Sequence, residues 1–243
     1  MAYKLLCILI CALVLGSCNL LSESDNSRPV VCITFDDQFS NVYNIALPVL
    51  NAHGFRASCF VNSEKLGSPG RLTSQQVLSL YQDYGWEIGG HFLRHENLEQ
   101  LSFAQAEYAI EQDYYNLLSL GVNPRSFAIP SGRCPAEYYP LITKHYLNIR
   151  GSSDFAMHNP IDRHSLGYLP YQTGWSVSII QDRIRRGIEN REAIIVIGFH
   201  KIDDSSESYT DNCSLETFSE IVSYIANLGL EVMPLAEAVD LNL

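Results

Sequence analysis

The sequence has little positive charge. It contains 16 lysine and arginine residues against 27 aspartate and glutamate residues, so its formal net charge at pH 7 is −11. Because nucleic-acid phosphates are bound by basic surfaces, this balance argues against a broad nucleic-acid interface. Solubility explains the excess of carboxylates more simply than a specific cationic partner does, and no protein partner is inferred.

Other features are also missing, and each absence narrows the class of protein. No two of the seven cysteines show the CxxC spacing of a thiolate zinc site. The chain has no internal repeat, low-complexity tract or second linker, so one domain suits its 243 residues better than two small ones. With 47% apolar and 18% charged residues, the chain is expected to be globular. Cys32 and Cys59 lie in apolar, strand-like runs, where buried free thiols are expected.

The N-terminal residues have the pattern of a signal peptide. Lys4 supplies a positive start, and the apolar run after it is too short to span a bilayer comfortably, which favours a signal peptide over residues 1–17. The sequence Leu15-Gly16-Ser17-Cys18 is similar to a bacterial lipoprotein cleavage site, where the cysteine becomes lipid-modified; the alternative is an ordinary signal peptide with a chance cysteine. We therefore expect residues 18–29 to be a tether. The chain would be exported and lipid-anchored at Cys18 to the cell envelope, facing the periplasm or the exterior.

From residue 30 to residue 243 the sequence alternates between strand-like and helix-like segments. Apolar, β-branched runs such as VVCITF and AIIVIGFH are typical of strands buried on both faces, and LEVMPL near the end is predicted as a last strand. Possible helix caps are Thr73, Ser102 and Ser214, and possible helix ends are Gly54, Gly85, Gly121 and Gly229. Repeated strand-then-helix units predict an α/β fold with a parallel sheet, helices outside and barrel closure as one natural outcome. Functional residues are then expected at the carboxyl ends of the strands.

Two motifs at predicted strand ends could bind a metal ion. Asp36 and Asp37 follow the first strand, and two adjacent carboxylates there are costly unless a cation neutralises them. One could be a metal ligand and the other a general base, although a simple turn or helix cap also explains the pair. His91 and His95 are four residues apart and could meet one metal ion, although paired surface histidines are common.

Two further motifs supply candidate groups for acid–base chemistry and for anion stabilisation. The segment Pro130-Ser131-Gly132 breaks a strand into a rigid loop that could aim a backbone N–H at a developing oxyanion, although proline and glycine mark turns in general. His200 ends a buried strand and could be a general acid, although a lone histidine there is more often structural.

Taken in order, the four motifs resemble those of the NodB-type polysaccharide deacetylase family, carbohydrate esterase family four. The resemblance extends from about Val30 to Leu235, and the segments EIGGHFLRHENLEQLS and YLNIRGSS are similar to the family as well. It implies a distorted (β/α) barrel with about seven parallel strands.

The resemblance also implies a role for each motif. Asp37, His91 and His95 would bind a divalent metal, most often zinc, with cobalt or nickel as alternatives. Asp36 would be the general base for the attacking water, and His200 would protonate the leaving amine. The loop of Pro130, Ser131 and Gly132 would stabilise the oxyanion, with the N–H of Ser131 as the donor.

The implied reaction releases acetate from an N-acetylhexosamine-containing polysaccharide, such as peptidoglycan or an exopolysaccharide. An O-acetyl ester or a small amide is an alternative substrate, and a glycan-binding lipoprotein with little turnover is an alternative from another class. Trp175, which is similar in position to a family tryptophan, and Phe199 are predicted as walls of the substrate pocket.

The sequence departs from the family pattern at several positions. Gln38 replaces a glycine, Phe92 a serine or threonine, Ala128 an arginine, Ser131 a tyrosine, Gly174 an aspartate and Gly198 a leucine. Arg94 or Arg133 is predicted to take the place of the missing arginine. Asp203 or Asp204 is predicted to orient His200, against the alternative that both are solvated turn residues. Gly198 is expected to widen or flatten the acetyl pocket.

Overall fold

The computed structural model describes residues 28–203 and 211–243 of the chain. The predicted signal peptide over residues 1–17, most of the predicted tether including Cys18, and Asp204 lie outside the described residues. Those predictions therefore stay predictions.

Seven parallel strands form the central sheet, in the order β5-β4-β3-β2-β1-β7-β6. Their bounds are β1 Val30–Phe35, β2 Ser58–Val61, β3 Glu87–Gly90, β4 Ser126–Ala128, β5 Asn148–Arg150, β6 Leu169–Pro170 and β7 Ile194–Phe199. The segment before β6 reaches the opposite edge, because Leu166 bonds through its backbone to Ile149 and Gly151. The sheet therefore curls towards a barrel, and the predicted seven-stranded, distorted (β/α) barrel is confirmed.

Helices cover the outer face of the sheet. They are α1 Leu47–Asn51, α2 Ser74–Gln82, α3 Phe103–Leu120, α4 Tyr139–Thr143, α5 Val177–Glu189, α6 Leu215–Asn227 and α7 Leu235–Asp240. The predicted caps are confirmed: Thr73 and Ser102 form capping boxes with Gln76 and Gln105, and Ser214 accepts the N–H of Thr217. Gly121, in the left-handed conformation, ends α3 as predicted. A further short pair of strands, β8 Lys201–Ile202 and β9 Asn212–Cys213, lies beside the barrel.

One predicted strand does not form. Residues 230–235 make a single bridge, between Val232 and Val31, and α7 begins at Leu235. Pro234 lacks the N–H that a ladder needs and precedes the first residue of α7, so it ends the extended segment there.

The core lies on both faces of the two central strands, β1 and β7, which are almost entirely buried. Cys32 and Cys59 are buried free thiols, as predicted, and Cys134 and Cys213 are also free. Among the described residues, no helix combines the length and the apolar character needed to cross a membrane.

Strand register aligns the carboxyl ends of the central strands. Phe35 pairs with Phe199, and Gly90 pairs with Phe127. The residues that follow these pairs therefore emerge together at one end of the barrel, as the sequence predicts for functional residues.

Candidate active site

A cavity of about 280 Å³ opens at the carboxyl ends of the strands. Its lining includes seven of the predicted site residues, namely Asp36, Asp37, His91, His95, Ser131, Gly132 and His200. It also includes six residues that the sequence did not single out as cavity lining, namely Ile129, Arg150, Ser152, Tyr168, Pro170 and Asp211. The fold thus brings residues of all four motifs together, as predicted.

Asp37, His91 and His95 form a group suited to a metal ion. Each offers one ligand atom, and the three atoms lie within 4.8 Å of one another. Asp37 Oδ1 is 3.8 Å from Nε2 of each histidine. Ligands at about 2.1 Å from a tetrahedral zinc ion lie about 3.4 Å apart, so small shifts would complete such a site. One carboxylate and two imidazoles are a donor set that suits zinc and other divalent transition metals.

The tautomer of His91 supports this assignment. Its Nδ1 lies 2.8 Å from the carbonyl oxygen of Ala128, which is an acceptor only, so Nδ1 carries the proton. Nε2 then presents its lone pair towards Asp37. Burial lowers the pKa of His91 to about 4, which keeps the imidazole neutral at physiological pH. Ala128 stands where the family has an arginine, and here its carbonyl oxygen orients the ring of His91.

Asp36 is held by Arg150, the last residue of β5. Arg150 Nη2 lies 2.8 Å from Oδ1 and 2.7 Å from Oδ2 of Asp36, and both side chains are buried. The prediction that Arg94 or Arg133 takes this place is wrong. Arg94 is exposed and pairs with Glu64, and Arg133 is exposed and lies 3.7 Å from Glu99.

The guanidinium of Arg150 is held between two aromatic rings. Its Cζ lies 3.7 Å from the ring centre of Tyr168 and 4.9 Å from that of Phe60. The hydroxyl of Tyr168 lies 3.4 Å from Asp36 Oδ2. Burial alone would raise the pKa of Asp36, but Arg150 and the nearby His91 and His200 outweigh it and the pKa lies below its usual value. Asp36 is therefore ionised at neutral pH.

The position of Tyr168 also explains why residue 198 is a glycine. A Cβ at Gly198 would lie 1.7 Å from a ring carbon of Tyr168. The volume freed by the absent leucine side chain is filled by the tyrosine ring, so the expected widening of the pocket is wrong. No local sequence signal connects these two residues, which meet because β6 and β7 are neighbours in the sheet.

The third motif forms a tight turn beside the cavity. Pro130 is buried, while Ser131 and Gly132 line the cavity, and Ser131 has a φ of 53°. A Cβ at Gly132 would lie 1.7 Å from Ser152 Oγ, so only glycine lets the Ser152 side chain pack here. The N–H of Gly132 donates to the carbonyl oxygen of Ile129 at 3.0 Å, which leaves the N–H of Ser131 as the candidate donor to an anion in the cavity.

Two predicted pocket walls lie elsewhere. Phe199 is fully buried in the core, where its ring contacts those of Tyr171 and Phe218. Trp175 packs against Tyr171 and is not among the residues that line the cavity. Their places at the wall are taken by Tyr168 and Pro170.

The residue that orients His200 stays a prediction. Asp203 lies 2.5 Å from Lys201, and Asp204 is outside the described residues. Asp211 lines the same cavity as His200 and adds a third carboxylate to it. Sequence reasoning missed Asp211, which follows no apolar strand-like run.

Comparisons with known proteins show which family the chain resembles. A family model described as polysaccharide deacetylase matches residues 23–148, just over half of the chain. YxkH of Bacillus subtilis (strain 168), which bears the name of a polysaccharide deacetylase, is 32% identical over 92 residues. That match covers 38% of this chain and only 33% of YxkH.

Solved structures share the fold. The Xyl-CE4 domain of a multidomain xylanase from the hindgut metagenome of Trinervitermes trinervoides aligns with a TM-score of 0.62 at 17% identity, covering 88% of this chain and 90% of that one. A variant of the peptidoglycan deacetylase PdaC from Bacillus subtilis aligns with a TM-score of 0.59 at 17% identity, covering 89% and 92%. With the matching family model and the four motifs gathered in one cavity, these likenesses lead to one conclusion: the chain belongs to the polysaccharide deacetylase family.

Proposed function

We propose that this chain is a metal-dependent hydrolase that removes N-acetyl groups from an N-acetylhexosamine-containing polysaccharide of the cell envelope, peptidoglycan or exopolysaccharide, and releases acetate. The observation that carries the proposal is the pairing, in one cavity, of an ionised, buried Asp36 with a separate metal-ligand set.

Asp37, His91 and His95 would hold the metal. A divalent ion bound there would lower the pKa of a bound water and polarise the carbonyl of the acetamide. Burial alone would raise the pKa of Asp37, but His91 and His95 keep it below its usual value. Asp37 is therefore a carboxylate and the buried His91 a neutral imidazole, which are the protonation states that metal binding needs.

Asp36 acts as the general base. It is ionised at neutral pH and lines the same cavity as the ligand set, so it can accept a proton from the attacking water. Arg150 fixes the direction of the carboxylate through two contacts from one nitrogen. Because Arg150 is itself enclosed by two rings, the carboxylate is held in a single orientation.

His200 acts as the general acid. It lines the cavity. Because Phe35 of β1 pairs with Phe199 of the neighbouring strand β7, His200 and Asp36 follow paired residues and lie beside each other. A protonated His200 donates to the amide nitrogen as the carbon–nitrogen bond breaks, which produces a free amine and acetate. The N–H of Ser131, a residue that lines the same cavity, would donate to the oxyanion.

The test is acetate release by the purified chain from N-acetylglucosamine oligomers and from peptidoglycan, with zinc or cobalt and with a chelator. Wild type should release acetate only when metal is present. Asp36→Asn should keep metal binding and lose at least about a thousandfold in turnover, because a base and its charge are both removed. Circular dichroism and metal content check that the variant is folded and loaded.

Other outcomes point to the alternatives. Release from acetyl esters but from no N-acetylated glycan would replace the amide substrate with an O-acetyl ester. Binding of glycan by wild type and Asp36→Asn alike, without acetate from either, would replace the enzyme with a glycan-binding protein.

A further inference from the structure

Two buried amide side chains connect the loops that carry the metal ligands. Gln38 follows Asp37, and Asn62 follows β2, and both are fully buried. We propose that Gln38 and Asn62 are positioning residues that hold Asp37 and His91 at the separation a metal ion requires. This inference rests on the metal site of the proposed function and concerns residues in neither the ligand set nor the acid–base pair.

Gln38 pairs with the backbone of Asn62 as one peptide group pairs with another. Its Nε2 donates to the carbonyl oxygen of Asn62 at 3.0 Å, and its Oε1 accepts the N–H of Asn62 at 3.0 Å. The carbonyl oxygen of Gln38 accepts the N–H of Leu72 at 2.8 Å. The residue next to Asp37 is therefore fixed by its side chain to Asn62, the first residue after β2, and by its backbone to Leu72.

Asn62 continues the connection to the histidine loop. Its Nδ2 donates to the carbonyl oxygen of His91 and lies 3.3 Å from that of Phe92. A continuous path of hydrogen bonds thus runs from the backbone beside Asp37, through Gln38 and Asn62, to the backbone of His91. The path is buried along its length, so water does not compete for these bonds.

The conformation of both loops needs such support. Asp37 has a φ of 66°, Gln38 of 39°, Phe92 of 70° and His95 of 64°. A left-handed conformation is sterically unfavourable for residues other than glycine, and such residues persist only where the surroundings impose them. A glycine at position 38 would adopt this φ more easily. Gln38 instead supplies a side chain whose hydrogen bonds connect the two loops.

A second buried group, Asp113, holds the peptide that follows Asn62. Asp113 of α3 accepts the N–H of Ser63 at 3.1 Å and the hydroxyl of Tyr146 at 3.2 Å. The peptides on both sides of Asn62 are thus held by hydrogen bonds, which limits the movement of the backbone that carries its side chain. Ligand groups fixed before the metal arrives bind it more tightly than groups that must be gathered.

The experiment measures metal affinity directly, by competition of wild type and variants with a chromophoric chelator for Zn²⁺ and by the visible spectrum of bound Co²⁺. Gln38→Met keeps the size of the side chain without its hydrogen bonds, and Asn62→Ala removes the donor to the two carbonyl groups. Each should weaken Zn²⁺ binding by about 10–100-fold, the range typical for groups that orient metal ligands. The Co²⁺ spectrum should change as the ligand geometry loosens.

Asn148→Ala is the matched control. Asn148 is also fully buried and donates to Ser126 Oγ at 3.0 Å while accepting from Arg163 at 3.1 Å, but it bonds to no residue of the site. Its loss should lower the melting temperature and leave the Zn²⁺ affinity within about twofold of wild type. If Gln38→Met does not fold, Gln38→Gly relieves the positive φ, removes the same bonds and carries the same expectation.

The outcomes separate this inference from the proposed function. If Gln38 and Asn62 variants bind Zn²⁺ as wild type does and only melt earlier, like Asn148→Ala, the positioning role is overturned and the metal site stands. If wild type itself binds neither Zn²⁺ nor Co²⁺, the proposed function fails. In the double variant the two losses in affinity should be far from additive, since either change breaks the same path.

Discussion

The two ends of the barrel solve the same local problem in different ways. Among the described residues, six that are not glycine have a positive φ, and five of them, namely Asp37, Gln38, Phe92, His95 and Ser131, lie in loops at the carboxyl ends of the strands. At the amino ends, the turns that lead into β2, β3 and β4 have glycine at the left-handed position, as Gly54, Gly85 and Gly121. The loops at the carboxyl ends also contain glycines with a positive φ, namely Gly67, Gly70, Gly132 and Gly174, so the difference between the ends lies in the residues that are not glycine. Arg191, before β7, is the sixth residue.

The difference shows which end carries function. Glycine adopts a positive φ without a steric cost, so the amino-end turns need no further support. The carboxyl-end loops carry five side chains at positions where glycine would be easier, and four of them make identifiable contacts. Asp37 and His95 belong to the group that could hold a metal ion, Gln38 bonds to Asn62, and Phe92 is buried in a hydrophobic cluster. Backbone strain of this kind clusters at active sites because the surrounding contacts can hold it there.

The largest effect is expected for Arg150→Met at the carboxyl end. The change leaves Asp36 buried without its cation, and breaking a buried ion pair costs about 3–5 kcal/mol. Chemical denaturation of wild type, Arg150→Met, Asp36→Asn and the double variant measures this. Arg150→Met should be less harmful in the Asp36→Asn background, where no charge is left unpaired.

The same variant should change the pH dependence. In wild type the pKa of Asp36 is held below its usual value, so its stabilising effect is present above the unfolded pKa of about 3.9 and is lost as pH falls through the folded pKa. Without Arg150, burial dominates and the pKa rises. The acid side of the rate profile should therefore move to higher pH. If the acid side of the rate profile stayed at the same pH in Arg150→Met, Arg150 would not control the pKa of Asp36.

The sequence predicts best those features whose signals are local, at either end of the barrel. The caps at Thr73 and Ser102, with a glutamine three residues on, and Gly121 after α3 are recognised within a few residues of one another. The site motifs were found for the same reason, since Asp36 and His91 each follow an apolar strand directly. The helix caps and the strands β1, β2, β3, β4 and β7 needed no knowledge of distant neighbours, whereas the short strands β5 and β6 were not predicted from the local pattern and the number seven came from the family resemblance.

The contacts that sequence reasoning missed join distant residues. Arg150 and Asp36 are 114 positions apart, and Tyr168 and Asp36 are 132 apart. No periodicity or motif connects such pairs; only the strand order brings them together. One signal was available for Arg150: a charged residue at the end of the short strand NIR obeys the rule that functional groups follow strands. Tyr168 offers no such signal, because its role is defined by the glycine opposite it.

An intermediate effect is expected for Gly198→Ala, on β7 near the carboxyl end. The new methyl group would overlap the ring of Tyr168, which itself holds Arg150, and overpacking of this kind costs about 1–3 kcal/mol. Gly151→Ala is the matched control, since the nearest atom to a Cβ there is a carbonyl oxygen at 3.8 Å. Adding Tyr168→Leu should restore part of the stability lost in Gly198→Ala. Equal losses for Gly198→Ala and Gly151→Ala would refute the direct contact.

The smallest effect is expected for Gly54→Ala, at the amino end. Gly54 has a φ of 68° and nothing within 4 Å of a Cβ position, so only the backbone conformation resists the change. The variant should lose about 1 kcal/mol of stability in urea unfolding. Its Zn²⁺ affinity and its rate of acetate release should equal those of wild type, because this turn is bonded to α1 through Asn51 and Leu50 and to no residue of the site. Gln38→Met is expected to weaken Zn²⁺ binding. If Gly54→Ala weakened it to the same degree, a strained backbone at either end of the barrel would affect the metal site equally. The proposed difference between the two ends would then be wrong.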